Sequence, residues 1–197
     1  MHLHPVDSPV AALVLGHGAG GGITSPDLVG ATKAAGSAGL SVALVEQPYR
    51  VAGRRSPAPA SQLDAAWAAV VSRLHEGLFS GLPVLTGGRS LGARVACRTA
   101  ATTDSVAVIC LAFPLHPPGR PEKSRLPELD AVKVPTLVVQ GQSDPFGTPP
   151  DSANRTLTRI PGTHSLKSET TVAAAVSEWL ASLGSDVLQM ELRGREP

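Results

Sequence analysis

Continuous apolar runs, separated by stretches of helical period, set the pattern of this chain. Residues 10–15 (Val-Ala-Ala-Leu-Val-Leu) are apolar at every position, as in a strand covered by helices on both faces. Five further β-prone runs follow at residues 42–45, 84–86, 105–111, 136–139 and 156–160. Between the first two, Ser25 offers an N-cap, Pro26 suits the first helical position and Asp27 suits the positive end of the helix dipole. That helix is expected to run to about Gly36 or Gly39. Leu63, Trp67, Val70, Val71 and Leu74 recur at helical spacing behind Ser61-x-x-Asp64, which resembles a capping box. Trp67 is therefore read as a core anchor, and Gly77 with Gly81-Leu82-Pro83 closes this helix. An alanine-rich helix is expected from Leu91 to about Ala101, and a last amphipathic one carries Val172, Val176, Trp179, Leu180 and Leu183. Residues 46–60, with Pro48, Pro57 and Pro59, read as a loop. Residues 112–133, with proline at 114, 117, 118, 121 and 127, read as a long irregular connection. The tail from Gly184 carries no signal.

Strands alternating with helices predict an α/β fold: a doubly wound, mostly parallel sheet of about six strands with helices on both faces. The length of 197 residues suits one domain over 1–197 with its core at about 10–183. Ligands of such sheets bind beyond the carboxyl ends of the strands, so the loops after the first, third, fourth, fifth and sixth strands are where chemistry is sought.

The third strand leads through Gly87-Gly88-Arg89-Ser90-Leu91-Gly92 straight into a helix. Gly88-x-Ser90-x-Gly92 between strand and helix has the form of a nucleophile elbow, a tight turn that lifts a serine hydroxyl above the sheet. Asp144 follows the fifth strand and His164 the sixth, giving the order Ser, Asp, His. A serine hydroxyl is a weak nucleophile at neutral pH, so an imidazole must take its proton, and a carboxylate must hold that imidazole in the right tautomer. An oxyanion needs two N–H donors. Leu91, after the nucleophile, offers one; the loop Gly16-His17-Gly18-Ala19-Gly20 after the first strand offers the other, with Ala19 the choice and Gly20 next to it. His17, Gly18 and His116 are candidate pocket residues. His116 also competes as the base, but Pro117 and Pro118 stiffen its loop and the order of residues favours His164.

Composition removes other classes. A net charge of +1 gives no electrostatic case for nucleic acid or membrane surfaces. Arg50, Arg54 and Arg55 cluster and could meet an anion, yet read better as a solvated loop. The start has no basic segment followed by an apolar run, so no signal peptide is expected, and location defaults to the cytoplasm. Cys97 and Cys110 read as buried free thiols, and no Cys/His spacing suggests zinc. The expected partner is a small acyl substrate; neither metal nor organic cofactor is needed, and oligomeric state is left open.

With these residues in view, the chain resembles a compact, lid-less α/β-hydrolase similar to the dienelactone-hydrolase-like enzymes. The segments at 16–20, 87–94, 113–119 and 141–147 resemble a small group named after a testis-expressed protein, which includes a subunit of a chromatin acetyltransferase complex. The resemblance covers roughly residues 10–183 and implies the fold, the triad Ser90, Asp144 and His164, and the oxyanion loop; it implies no substrate. Two departures stand out. The antiparallel strands that usually open the fold are not evident, and a serine stands where dienelactone hydrolases use cysteine, which argues against dienelactone itself. The expected function is a serine hydrolase acting on a small ester, thioester or similar acyl compound through an acyl-enzyme. One alternative is a catalytically idle scaffold. Another is a dinucleotide-binding oxidoreductase, since Gly16-x-Gly18-x-x-Gly21 fits that fingerprint and Glu46 ends the next strand; its pyrophosphate would need a helix starting inside the glycine turn, whereas the start signals lie at Ser25 and Pro26.

Overall fold

The computed structural model describes residues 1–183, and the tail 184–197 lies outside the described residues. Seven strands form one sheet: β1 (His2–His4), β2 (Ala11–Gly16), β3 (Leu40–Val45), β4 (Val84–Arg89), β5 (Ala107–Leu111), β6 (Thr136–Gly141) and β7 (Arg155–Ile160), in the order β1-β3-β2-β4-β5-β6-β7. All neighbours run parallel except β1, which lies antiparallel on β3 with Leu3 opposite Ala43. The sheet is the mostly parallel one expected, and β1 supplies one antiparallel opening strand where the sequence made none evident. Its three residues are all exposed, so no apolar pattern marks it; what makes it a strand is pairing to the edge of β3.

Alternate residues of the buried strands face opposite helix layers, because strand side chains have a period of two. Leu13 and Leu15 of β2 pack with α1 (Pro26–Ser37) and α6 (Glu169–Ser182), while Ala12 and Val14 pack with α3 (Ala60–Glu76). On that second face, α4 (Leu91–Thr99) and α5 (Leu126–Asp130) bury Ala93, Ala96, Cys97 and Leu129 against Val108, Cys110 and Val138. The chain reverses its winding between β2 and β4, and a crevice at such a reversal is where doubly wound sheets bind ligands. Cys97 and Cys110 are free and buried, with Sγ atoms 3.4 Å apart. Among the described residues no helix is long and apolar enough to cross a membrane.

Proline misled the reading of the connections. The segment 46–60 holds a short helix, α2 (Pro48–Val51), and the segment 112–133 holds a 3-10 turn (Pro121–Lys123) and α5. In each, proline occupies the first turn, where its missing N–H costs no hydrogen bond and its fixed φ suits the helix. The capping box is also corrected. Helix α3 starts at Ala60 with Pro59 at the N-cap and no side-chain cap. Asp64 instead accepts two hydrogen bonds from Arg98 of α4, at 2.8 and 2.6 Å, which ties the two helices together.

Trp67 is 2% exposed and its ring approaches Gly16, at the end of β2. Its indole N–H has no acceptor among the described residues. Truncation and polar loss therefore separate: Trp67→Ala is expected to cost about 3–5 kcal/mol in urea unfolding, whereas Trp67→Phe, which removes an unsatisfied donor, is expected to cost less than about 1.5 kcal/mol. Equal losses for the two variants would contradict this account of the packing.

Candidate active site

The turn after β4 is shaped by close approach. A Cβ at Gly88 or at Gly92 would run into the carbonyl oxygen of Gly16 on the adjacent strand, so strand, turn and helix can come together only with glycine at both places. Between them Ser90 adopts φ 51° and ψ −104°, a conformation that costs a non-glycine residue roughly 1–3 kcal/mol. Its N–H donates to the Leu111 carbonyl at 2.9 Å and its carbonyl accepts from Arg94 N–H at 3.2 Å. The hydroxyl then stands free of the backbone, above the carboxyl end of the sheet.

The structure brings Ser90, Asp144 and His164 together. Ser90 Oγ lies 2.9 Å from His164 Nε2, and His164 Nδ1 lies 2.9 Å from Asp144 Oδ2. With Nδ1–H donating to the carboxylate, Nε2 is left as the acceptor for the serine hydroxyl. Asp144 sits in the turn after β6 with its side chain fully buried. Its Oδ1 accepts the Phe146 N–H at 2.8 Å and its Oδ2 accepts a second bond from Gln140 Nε2 at 2.7 Å. The same Gln140 amide faces the carbonyls of Phe113 and Gly147, at 3.1 and 2.9 Å. Phe146 stacks on the imidazole with ring centroids 4.1 Å apart. The turn of Asp144 is tied to that of His164 by Ser143 N–H donating to Gly162 O at 2.9 Å.

A second buried pair reaches the same imidazole residue. Arg89 Nε lies 2.8 Å from Asp27 Oδ2 at the start of α1, and Arg89 Nη2 donates to the His164 carbonyl at 3.2 Å. Asp27 thus serves as the partner of Arg89 as well as an acid at a helix N-terminus. Helix α1 begins at Pro26, past the glycine turn, with this carboxylate in its first turn. That is not the geometry a pyrophosphate needs, so the dinucleotide reading loses its site.

The loop after β2 stands beside the serine. The N–H groups of Leu91 and Ala19 donate to no protein acceptor among the described residues, and the Ala19 carbonyl accepts the Tyr49 hydroxyl at 3.1 Å. His17 is 1% exposed; its Nδ1 donates to Gly18 O at 2.7 Å and its Nε2 accepts the Gln47 N–H at 2.9 Å. A cleft of about 390 Å³ opens at Ser90 and Leu91, walled by Ala19, Pro57, Ala58, Leu63, Pro114 and Phe146, and by three arginines, Arg94, Arg98 and Arg125. His17, Gly18 and His116, expected as candidate pocket residues, are not among the residues that line it. His17 is consumed in holding the loop, Gly18 lies under the Arg89 side chain, and His116 packs on Gly147 with Nδ1 3.0 Å from Pro117 O. Arg50, Arg54 and Arg55 are exposed. Among the described residues no cluster of His, Cys, Asp and Glu could hold a metal ion.

Sequence reasoning missed Gln140, Phe146 and the cleft arginines. Gln140 ends a buried apolar strand four residues before Asp144, and a polar residue there was the available signal.

Burial keeps His17 neutral by pushing its pKa below the ordinary value of 6.5, with Arg50 adding to the shift and the Gly18 and Glu46 contacts opposing it. A histidine depressed in the folded state gives the unfolded chain the greater proton affinity below pH 6.5, so stability present above that pH is lost as pH falls through it. The melting temperature is expected to drop between neutral pH and about pH 5, and to drop less steeply in His17→Gln. Parallel pH profiles for the two proteins would remove His17 as the cause.

A family model described as an alpha/beta hydrolase domain matches residues 9–178. Similar solved structures include an α/β serine hydrolase without a lid from Xanthomonas campestris, at 19% identity and TM-score 0.74, covering 91% of this chain and 86% of that one. Est1E from Butyrivibrio proteoclasticus, solved with ferulic acid bound, matches at 18% identity and TM-score 0.71, over 92% of this chain and 93% of that one. A dienelactone hydrolase from Anabaena variabilis matches at 22% identity and TM-score 0.71, over 91% and 89%. At these identities the likeness is one of fold. No curated protein matches the sequence.

Proposed function

The chain belongs to the alpha/beta hydrolase domain family, and from that premise we propose that it is a serine hydrolase cleaving a small ester, thioester or similar acyl compound through an acyl-enzyme. The observation that carries this reading is the unbroken line of hydrogen bonds from Ser90 Oγ to His164 to Asp144, each 2.9 Å, at the mouth of a cleft. Ser90 attacks the carbonyl carbon while His164 Nε2 takes its proton. Asp144, held by Gln140 and the Phe146 N–H, keeps the imidazole in the Nδ1–H tautomer and stabilises the imidazolium. The tetrahedral oxygen is received by the N–H groups of Leu91 and Ala19, which are otherwise unspent. His164 then protonates the leaving oxygen or sulfur, and water, activated by the same imidazole, releases the acid. No metal or organic cofactor enters these steps.

The resemblance to the testis-expressed group stays an expectation from the motifs, and the substrate is argued from the cleft. A non-catalytic scaffold would have no use for a strained serine aligned with a buried carboxylate. The two readings separate under a fluorophosphonate probe. The folded wild type is expected to label and Ser90→Ala to stay unlabelled; an unlabelled wild type would sink the activated serine, and labelling that survives Ser90→Ala would sink its assignment. Asp144→Asn is expected to lower kcat for model esters by about 10⁴-fold through the wrong imidazole tautomer, while its circular dichroism spectrum stays that of the wild type. A loss of less than about tenfold would take Asp144 out of the mechanism.

A further inference from the structure

Ser90, Arg94 and Arg98 stand at intervals of four residues, so they share one face of α4, with each arginine about 6 Å further along the axis. Both guanidiniums are matched by acids. Arg94 bonds Glu128 through Nε and Nη2 at 2.9 and 2.6 Å, and Arg98 bonds Asp64 in the same manner while reaching Glu128 at 3.4 Å. Arg125, the third arginine on the cleft, has no acidic partner among the described residues. Its one side-chain bond among the described residues is from Nη1 to the Pro114 carbonyl, at 2.9 Å. A guanidinium carries five N–H donors in a planar fork, so most of this fork is unspent. Burial and the neighbouring Arg94 both act against its charge, with Glu128 opposing them. Among the described residues, three guanidiniums against the two carboxylates Asp64 and Glu128 leave one positive charge uncompensated in a partly desolvated groove.

In the proposed reaction the leaving group must lie at His164 Nε2, and the oxyanion must face Leu91 and Ala19. The cleft is lined by Ser90, Leu91 and Ala19 together with the arginines, and by Phe146, which stacks on His164; the acyl part is placed there. Its volume of about 390 Å³ lies at the small end of ligand sites.

We propose that Arg125, beside Arg94 and Arg98, forms an anion subsite in the acyl cleft, and that the substrate is a monoester or monothioester of a short dicarboxylic acid whose free carboxylate docks on the Arg125 fork. The inference rests on the serine-hydrolase reading for the word substrate, but the subsite can be tested without turnover. A planar bidentate fork favours a carboxylate, and hydrolysis of such a monoester would release a dicarboxylate and an alcohol or thiol.

Calorimetric titration of the Ser90→Ala protein with monomethyl glutarate and with methyl butyrate reads the subsite directly. The charged ester is expected to bind at least about tenfold more tightly, near the strength of a charge-assisted hydrogen bond, with the advantage shrinking as salt is raised. That advantage should vanish in Ser90→Ala/Arg125→Gln and return in part in Ser90→Ala/Arg125→Lys. Equal binding of the two esters by Ser90→Ala protein overturns the proposal, as does an advantage that survives Arg125→Gln. In turnover, the wild type is expected to show higher kcat/KM for succinyl, glutaryl or adipyl monoesters than for the neutral butyrate, mainly through KM. An enzyme that labels with fluorophosphonate yet shows no preference for charged esters refutes the subsite alone. A protein that fails to label yet binds the charged ester through Arg125 refutes the hydrolase reading alone.

Discussion

The carbonyl of Gly16 is the point on which the rest of the structure depends. Strand β2 ends there, strand β4 passes beside it, and helix α4 begins above it, with Gly88 and Gly92 closing to a distance that no side chain would allow. That approach forces the sharp turn which holds Ser90 at φ 51°, and it sets the N-terminus of α4 beside the loop that carries Ala19. Trp67 closes the space from the α3 side. The loop is then pinned by His17 on Gln47 and by Tyr49 on the Ala19 carbonyl. A backbone strain of a few kcal/mol survives only where packing over-determines it, and here packing and hydrogen bonds act from β2, β4, α3 and the 46–60 segment at once.

The second constraint is electrical. Asp144 is a carboxylate with no solvent contact, and a buried charge is tolerated only when its oxygens are satisfied. Gln140, the Phe146 N–H and His164 do so between them. Gln140 must present its NH₂ to the carboxylate because the other groups it faces are carbonyls, which leaves its own Oε1 without a partner. The cost of that orphan oxygen offsets part of what the network gains and fixes the amide in one orientation. His164 is therefore located twice: its ring by Asp144 and its backbone by Arg89, which is itself held by Asp27 in the first turn of α1.

Much of this was legible because buried parallel strands announce themselves. Five of the seven strands are buried over nearly their whole length and β7 is a short β-branched run; once the sheet is placed, the strand ends, the glycine elbow and the order of residues together point to Ser90, Asp144 and His164. Strand β1 left no trace, since pairing along an exposed edge demands no apolar pattern. The helices α2 and α5 were hidden by prolines that sit where a helix accepts them. Ser61 and Asp64 have the spacing of a capping box, but Asp64 was recruited across to Arg98, and nothing local to α3 reveals a partner on α4. The same applies to Gln140 and to the arginines of the cleft. Their spacing was in view, yet which of them carries an acid is decided by contacts between elements distant in the chain.

On the anion-subsite proposal, that distribution of acids sets how a cleft without much volume discriminates. Pairing Arg94 and Arg98 with Glu128 and Asp64 uses guanidiniums as structure: they cross-link α3, α4 and α5 beneath the groove and leave little field outside it, because each positive charge is met at contact distance. Arg125 differs in its anchoring. Its backbone N–H is tied to Leu115 O and its guanidinium to Pro114 O, so it is positioned by neutral carbonyls that fix its direction without cancelling its charge. A fork held still before a ligand arrives loses less side-chain entropy on binding than a free surface arginine would. Pro57 and Pro114 in the walls act to the same end, since a fixed φ removes freedom that a ligand would otherwise have to quench. On the proposed reading, selection in such a groove falls to Arg125, whose charge meets no acid among the described residues.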